Sequence, residues 1–433
     1  MRVRGIRAGA AALAVLGIAA ASLSAPGTAL AKEARAAPAR LKLDHRRIER
    51  AVSAMVADGR VVGASVLVWQ GGKERLFHAA GYADREAGRP FARDTLLQIF
   101  SMTKPVTGVA LMQLWEAGKF RLDDPLARYL PEFGGVQVYA GADAAGKPLL
   151  RAPIRPILVR DVLRHTAGFV YGDAPGVHGE LVKAQDALSL DNTLAEFGTR
   201  MARIPLLSDP GEQWSYSAAV DMQALLVEKL SGQKFSDYVW QHVFSPLGMT
   251  QTGWAQPAAA RARLARIYEW KDGAPTRWPD ERLFAESFSG KPMTMGGSGL
   301  VSSVDEYLRF ARMLLGQGSL DGVRVIKPST LALMASDQLD PAITARAWLP
   351  GKGSLGFGFD FAVRDRQPAT ADEPRGAVGE FFWDGAPSML FWIDPANDMV
   401  VIFATQKLPF DGTLHRDIRA AVYGPDYRGP AGD

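Results

Sequence analysis

Strand-like runs at the two ends of this chain bracket a long middle of helical pattern. That arrangement limits the fold more than any other feature. Val61–Trp69 is rich in valine, Arg75–Ala80 follows, and Gln70-Gly71-Gly72-Lys73 joins them. Two β-type runs across a Gly-Gly turn make a hairpin. Three more runs, Gly379–Trp383, Ser388–Ile393 and Met399–Thr405, lie near the other end. Gly385-Ala386-Pro387 and Asp394-Pro395-Ala396-Asn397-Asp398 separate them as turns. Apolar spacing predicts helices over 103–117, 159–164, 219–230, 235–244 and 304–315. Leu43–Val56 and Leu414–Tyr423 supply a helix at either end. The predicted fold class is α+β: an antiparallel sheet built from N- and C-terminal strands, flanked by helices, with a large inserted mostly helical lobe. The sheet lobe is expected over about 43–100 and 340–425, and the helical lobe over about 101–340, in a single domain spanning 43–425. Val136–Arg155 is a polar, glycine-containing excursion expected on the surface.

The first residues read as an address rather than as fold. Arg2, Arg4 and Arg7 precede an apolar, alanine-rich run from Ala8 to Ala21, and Ala29-Leu30-Ala31 offers a small-x-small cleavage site. This is the order of a secretory signal peptide over 1–31, cleaved after Ala31, with 32–42 as an Ala- and Pro-rich linker. The apolar run is short for a membrane span. The expected location is therefore periplasmic or secreted, with no stable membrane anchor after cleavage. The formal charge of +4 includes three leader arginines, which leaves 4 − 3 = +1 on the mature chain. That balance gives no case for a nucleic-acid partner. Cysteine is absent, which removes disulfides, thiolate catalysis and thiolate metal sites.

The chemistry starts at Ser101-Met102-Thr103-Lys104. Pro105 sits early in the helix that follows, where its missing N–H costs little. Residues three apart share a helix face, so the Ser101 hydroxyl and the Lys104 amine are expected to meet. A serine beside a desolvated lysine is one form of activated nucleophile. S-x-x-K alone is weak, and a second copy stands at Ser231-Gly232-Gln233-Lys234. There Gly232 reads as a helix stop, so Lys234 starts a new element and need not face Ser231. Two further signals accompany Ser101: Tyr216 on a loop before a helix, and Trp383-Asp384-Gly385-Ala386 at a strand end. G-x-S-x-G and H-E-x-x-H are missing. The P-loop-like Gly141–Lys147 fails at Pro148, and the G-x-G-x-x-G at Gly351–Gly356 lacks a strand before it and a helix after it. No metal and no cofactor is expected.

Together these motifs resemble the serine β-lactamase and penicillin-binding-protein superfamily. Leu163–Phe169 resembles its L-x-H-T-x-G-L element, Phe244–Gly253 its F-x-P-L-G-M-x-x-T segment, and Gly296–Ser303 its G-G-L-x-S-T element. The likeness runs in order from about residue 45 to residue 410. Within the superfamily the chain resembles the class C-like branch, closest to the family VIII carboxylesterases. Trp383 stands where β-lactamases carry the lysine of K-T-G, and Ala218 where they carry the asparagine of Y-x-N. A site that has lost a cation and an amide binds anionic amides less well, and a tryptophan favours an uncharged substrate.

The resemblance implies catalytic Ser101, Lys104 and Tyr216, with an oxyanion hole from the backbone N–H groups of Ser101 and Ala386. Either Lys104 or Tyr216 can be the base. Trp383, Gly385, Tyr171 and Trp214 are expected to bind substrate, with Phe169 and Trp348 as further pocket candidates. His165 is read as a loop-stabilising histidine, and Asp221 and Glu212 as caps or solvated groups at the helix after Tyr216. The expected partner is a small-molecule ester. β-Lactamase or D-amino-acid peptidase activity, acyl transfer, and a binding protein with a relic site are the rival readings.

Overall fold

In the computed structural model, residues 40–427 are described, apart from 172–175, 289, 348–354 and 371. The leader and Trp348 lie outside the described residues, as does most of the G-x-G-x-x-G run.

The two ends of the chain meet in one sheet. Its strands in chain order are β1 (Gly63–Gln70), β2 (Lys73–Asp84), β3 (Arg89–Pro90), β4 (Gly356–Phe357), β5 (Ala362–Val363), β6 (Phe381–Gly385), β7 (Met389–Asp394) and β8 (Met399–Thr405). Their spatial order is β4-β5-β6-β7-β8-β1-β2-β3, and every neighbour is antiparallel. The join between the ends is β8 on β1, with Val66 opposite Phe403 and Trp69 opposite Val400. Gly71 and Gly72 turn the first hairpin with φ of 63° and 78°. A two-residue hairpin loop with both residues at positive φ matches the strand twist, and glycine takes it without strain.

Continuous burial of β7 and β8 follows from helices on both faces. Side chains alternate along a strand. On β7, Phe391 meets Tyr307 of α4 (Val304–Leu315) with ring centres 5.0 Å apart. Its neighbour Trp392 points the other way, and its indole N–H donates to Tyr423 of α5 (Gly412–Tyr423) at 3.1 Å. Helix α1 (His45–Ala57) packs beside α5 and supplies Ile48, Val52 and Met55 to that face. Each such side chain, once fully buried, contributes about 1.5–3 kcal/mol.

The middle of the chain holds the helices that frame the site. They are α2 (Lys104–Glu116) and α3 (Ala219–Ser231), which pack on each other. Both are buried nearly all round, as in the apolar run Val109–Leu114. Several boundaries and elements differ from expectation. β6 starts at Phe381, because Gly379 turns the chain with φ of 87°. The helix expected over 235–244 is α-helical only over Phe235–Val239 and widens to a π-turn at Trp240–Phe244. The helices Gly176–Gln185, Leu194–Met201, Asp280–Phe288 and Pro328–Met334 were not anticipated. The excursion folds as a hairpin, Val138–Ala142 with Pro148–Arg151, and leaves Leu149 and Leu150 exposed.

Candidate active site

Ser101 sits where a strand becomes a helix. Gln98 pairs with Val301, and the Ile99 N–H donates to the Leu300 carbonyl at 3.0 Å. Phe100 then takes φ of 46°, a left-handed conformation that costs a non-glycine residue roughly 1–2 kcal/mol. Phe100–Thr103 form a 3-10 turn that runs into α2. Residues i and i+3 eclipse in a 3-10 turn, which sets Lys104 over Ser101. The helical spacing therefore holds, but through a tighter turn than an α-helix.

Three side chains converge there. Lys104 Nζ donates to Ser101 Oγ at 3.2 Å and to the Gly297 carbonyl at 2.7 Å. Tyr216 donates its hydroxyl to the same Oγ at 2.7 Å. Lys104 is 1% exposed, whereas Ser101 and Tyr216 keep some exposure. Burial holds the Tyr216 phenol far above its ordinary value, so its proton stays on; Ser101 opposes this and the field of Asp384 adds to it. The second S-x-x-K does not assemble. Ser231 donates to Val227 of its own helix at 2.6 Å, Gly232 caps that helix with φ of 73°, and Lys234 is exposed before the next one.

An aromatic layer backs Tyr216. Trp214 stacks on it with centres 6.2 Å apart, His165 lies at 5.2 Å, Tyr171 at 5.4 Å and Trp383 at 5.5 Å. Phe357 closes the layer against Trp214, His165 and Trp383. Trp214 and Trp383 are each 1% exposed. They were expected to bind substrate; both are instead almost fully buried, Trp214 against Tyr216, His165 and Phe357 and Trp383 against Tyr216 and Phe357. The Trp383 indole N–H acts on the Tyr216 oxygen in the sense that favours the phenolate. Tyr171 faces Lys104, its ring centre 5.6 Å from Nζ. Phe169 is core, edge-on to Phe133 at 5.7 Å. His165 has φ of 57°, shares a hydrogen bond between Nδ1 and Ser217 Oγ at 3.2 Å, and is held well below its ordinary pKa by burial and then by the Lys104 charge.

The end of β6 abuts the nucleophile turn. A β-carbon on Gly385 would lie 2.6 Å from the Ile99 carbonyl oxygen, so only glycine allows this approach. Ala386 follows in an exposed turn beside Ser101's element.

Two buried carboxyls near Lys104 escaped the sequence reading. Asp221 is 0% exposed, not a solvated cap, and accepts the Gly297 N–H at 3.0 Å. Asp360 is 0% exposed and accepts from Gln223 at 3.1 Å. Burial raises both from the ordinary carboxyl value, and the Lys104 charge pulls both down. The signal for Asp221 was its company: Ala219, Val220, Met222 and Ala224 leave it no solvent face. Glu212 is exposed. Behind the loop that carries Gly297 lies a separate cleft of 1070 Å³, walled in part by Trp254, Met293, Met295 and Ser298.

A serine held by a lysine and a tyrosine, beside an antiparallel sheet, is an arrangement consistent with a serine hydrolase of β-lactamase fold. The family model described as Beta-lactamase matches residues 48–423, and the chain belongs to that family. It is 31% identical to Esterase EstB of Burkholderia gladioli over 401 residues, covering 87% of this chain and 94% of that protein. It is 35% identical to Protein Rv1367c of Mycobacterium tuberculosis over 377 residues, 84% of this chain and 90% of that one. Among solved structures it resembles EstCE1, titled a hydrolase with promiscuous acyltransferase activity. The TM-score is 0.71 at 27% identity, covering 88% of this chain and 98% of that one.

Proposed function

We propose that this chain is an exported serine hydrolase that cleaves uncharged carboxylic esters through an acyl-enzyme on Ser101. The carrying observation is the pair of hydrogen bonds to one oxygen: Lys104 at 3.2 Å and Tyr216 at 2.7 Å from Ser101 Oγ. Tyr216 is held protonated by burial, so it suits the acid role. Lys104, in its amine form, takes the Ser101 proton as Oγ bonds to the ester carbon. The backbone N–H groups of Ser101 and Ala386 hold the oxyanion. The carbon–alkoxy bond then breaks and the alkoxide takes the Tyr216 proton, which Lys104 replaces. Water repeats the sequence on the acyl-enzyme and frees the acid.

The residue at position 383 supports a neutral substrate. Trp383 offers an indole N–H where the β-lactamase pattern has lysine, so that position holds no cation for a substrate carboxylate. The likeness to EstB and to a hydrolase with acyltransferase activity supports the same chemistry, with an alcohol able to replace water as acceptor. Export rests on the leader over residues 1–31. Intact-mass analysis after brief exposure to a p-nitrophenyl ester tests the covalent step. One acyl group is expected on the native chain, mapped to Ser101, and none on Ser101→Ala. Acyl mass on Ser101→Ala would place the nucleophile elsewhere.

A further inference from the structure

Asp221 has a buried carboxylate oxygen with no work assigned to it. Its Oδ1 accepts the Gly297 N–H at 3.0 Å, while Oδ2 has no partner at hydrogen-bond distance. Leaving a buried carboxylate oxygen unsatisfied is costly, which is reason to ask what it faces. Gly297 answers. The point a β-carbon would occupy there lies 2.9 Å from Asp221 Oδ2, 3.2 Å from the Tyr171 hydroxyl and 3.3 Å from Lys104 Nζ. Three polar atoms from three elements thus converge on the space that one glycine leaves open. The same glycine accepts Lys104 through its carbonyl at 2.7 Å. Asp221 therefore holds one side of the residue whose other side holds the amine.

We propose that Asp221 is a positioning residue for Lys104: it fixes the Gly297 carbonyl that orients the amine, and its carboxylate favours the ammonium formed when Lys104 takes the Ser101 proton. Asp221 stands behind Lys104 as a charge that orients and stabilises the base without taking its proton, as the third group of a catalytic triad does. With both atoms within 3.3 Å of one point and out of bulk water, a fixed negative charge acts strongly on a new positive one. The groups facing Asp221 are Lys104 from α2, Tyr171 from the loop after Val170, Tyr216 from the loop before α3, and the N–H groups of Gly296 and Gly297. Asp360 acts on Lys104 from beside Gly108 of α2.

This inference rests on the reading of Ser101 and Lys104 as nucleophile and base, and the test separates the two. Ester turnover against pH is measured for the native protein, Ser101→Ala and Asp221→Asn. Asparagine keeps an oxygen for the Gly297 N–H and removes only the charge. The expected result for Asp221→Asn is a plateau rate lower by about tenfold with KM little changed, and an acid limb displaced to lower pH. A native plateau and an unmoved acid limb would overturn the inference. Should Asp221→Asn not fold, Gly297→Ala carries the test, since its methyl separates the same pair and leaves both charges in place. The same displacement of the acid limb is expected, and an unmoved limb overturns the proposal. Activity retained in Ser101→Ala would instead overturn the underlying mechanism.

Discussion

A serine hydroxyl is a weak nucleophile until a neighbour takes its proton, and Ser101 has two such neighbours with different constraints. Tyr216 is locked as a phenol by burial, while Lys104 sits between a carbonyl and two buried carboxyls. His165 supports Tyr216 from behind and stays neutral, because burial depresses its folded pKa below the ordinary 6.5. The consequence for stability has a definite sign. Above the unfolded value neither state of His165 is charged, and its contribution is fully present. As pH falls through about 6.5, the unfolded chain binds a proton that the folded one refuses, and stability is lost. Thermal unfolding followed between pH 8 and pH 5.5 should show this loss. It is expected to be smaller in His165→Asn, where asparagine tolerates the positive φ; equal pH dependence in the two proteins would refute it. At this scale the convergence of Ser101, Lys104 and Tyr216 was legible, because each lies in a motif that the family resemblance picks out. Asp221 was not, since a carboxylate in the first turn of a helix reads as a cap when its burial is unseen.

Between elements, the decisive contact is β6 against the nucleophile turn. Gly385 lets the strand edge reach Ile99, next to the turn that carries Ser101, and the proposed oxyanion role of Ala386 depends on that approach. Gly385→Ala is expected to leave the fold intact and lower kcat for ester hydrolysis by about 100-fold, since small displacements of an oxyanion site are that costly. Native kcat in a folded Gly385→Ala protein would show that this edge does not form the site. The strands themselves were largely readable. Met399–Thr405 matches its expected bounds, because six buried apolar residues and Thr405 end at a clear turn on one side and at polar Gln406 on the other. β6 was displaced by two residues because Gly379 and Glu380 looked like strand but form a turn. The 3-10 entry to α2 and the π-turn at Trp240–Phe244 have no composition of their own. Sequence periodicity does not record such changes of helical pitch.

For the molecule as a whole, the sheet must join segments more than 300 residues apart in sequence, and a buried polar cluster fastens its C-terminal strands to α5. Glu380 is 0% exposed and accepts from Arg364 at 3.0 Å and from Arg419 at 2.8 Å. The Tyr423 hydroxyl lies 3.1 Å from Glu380 and 2.7 Å from Asp394. Removing one member of such a cluster strands the others without compensation. Glu380→Gln should therefore lower unfolding stability by about 3–5 kcal/mol by denaturant titration, while ester kinetics of the folded protein stay native. A change under about 0.5 kcal/mol would mean that the cluster does not hold the sheet. The α+β plan was legible because strand patterns lay at both ends; this cluster was not, because its members are scattered over Arg364, Glu380, Asp394, Arg419 and Tyr423. The central proposal is chemical: that Ser101 serves neutral esters, since Trp383 stands where the β-lactamase pattern has a cation. It is tested by comparing kcat/KM of the mature chain for p-nitrophenyl butyrate and for nitrocefin, with Ser101→Ala alongside. The expected result is a preference for the ester of about 100-fold or more that disappears in Ser101→Ala. Faster turnover of nitrocefin, or ester hydrolysis that survives in Ser101→Ala, would contradict it.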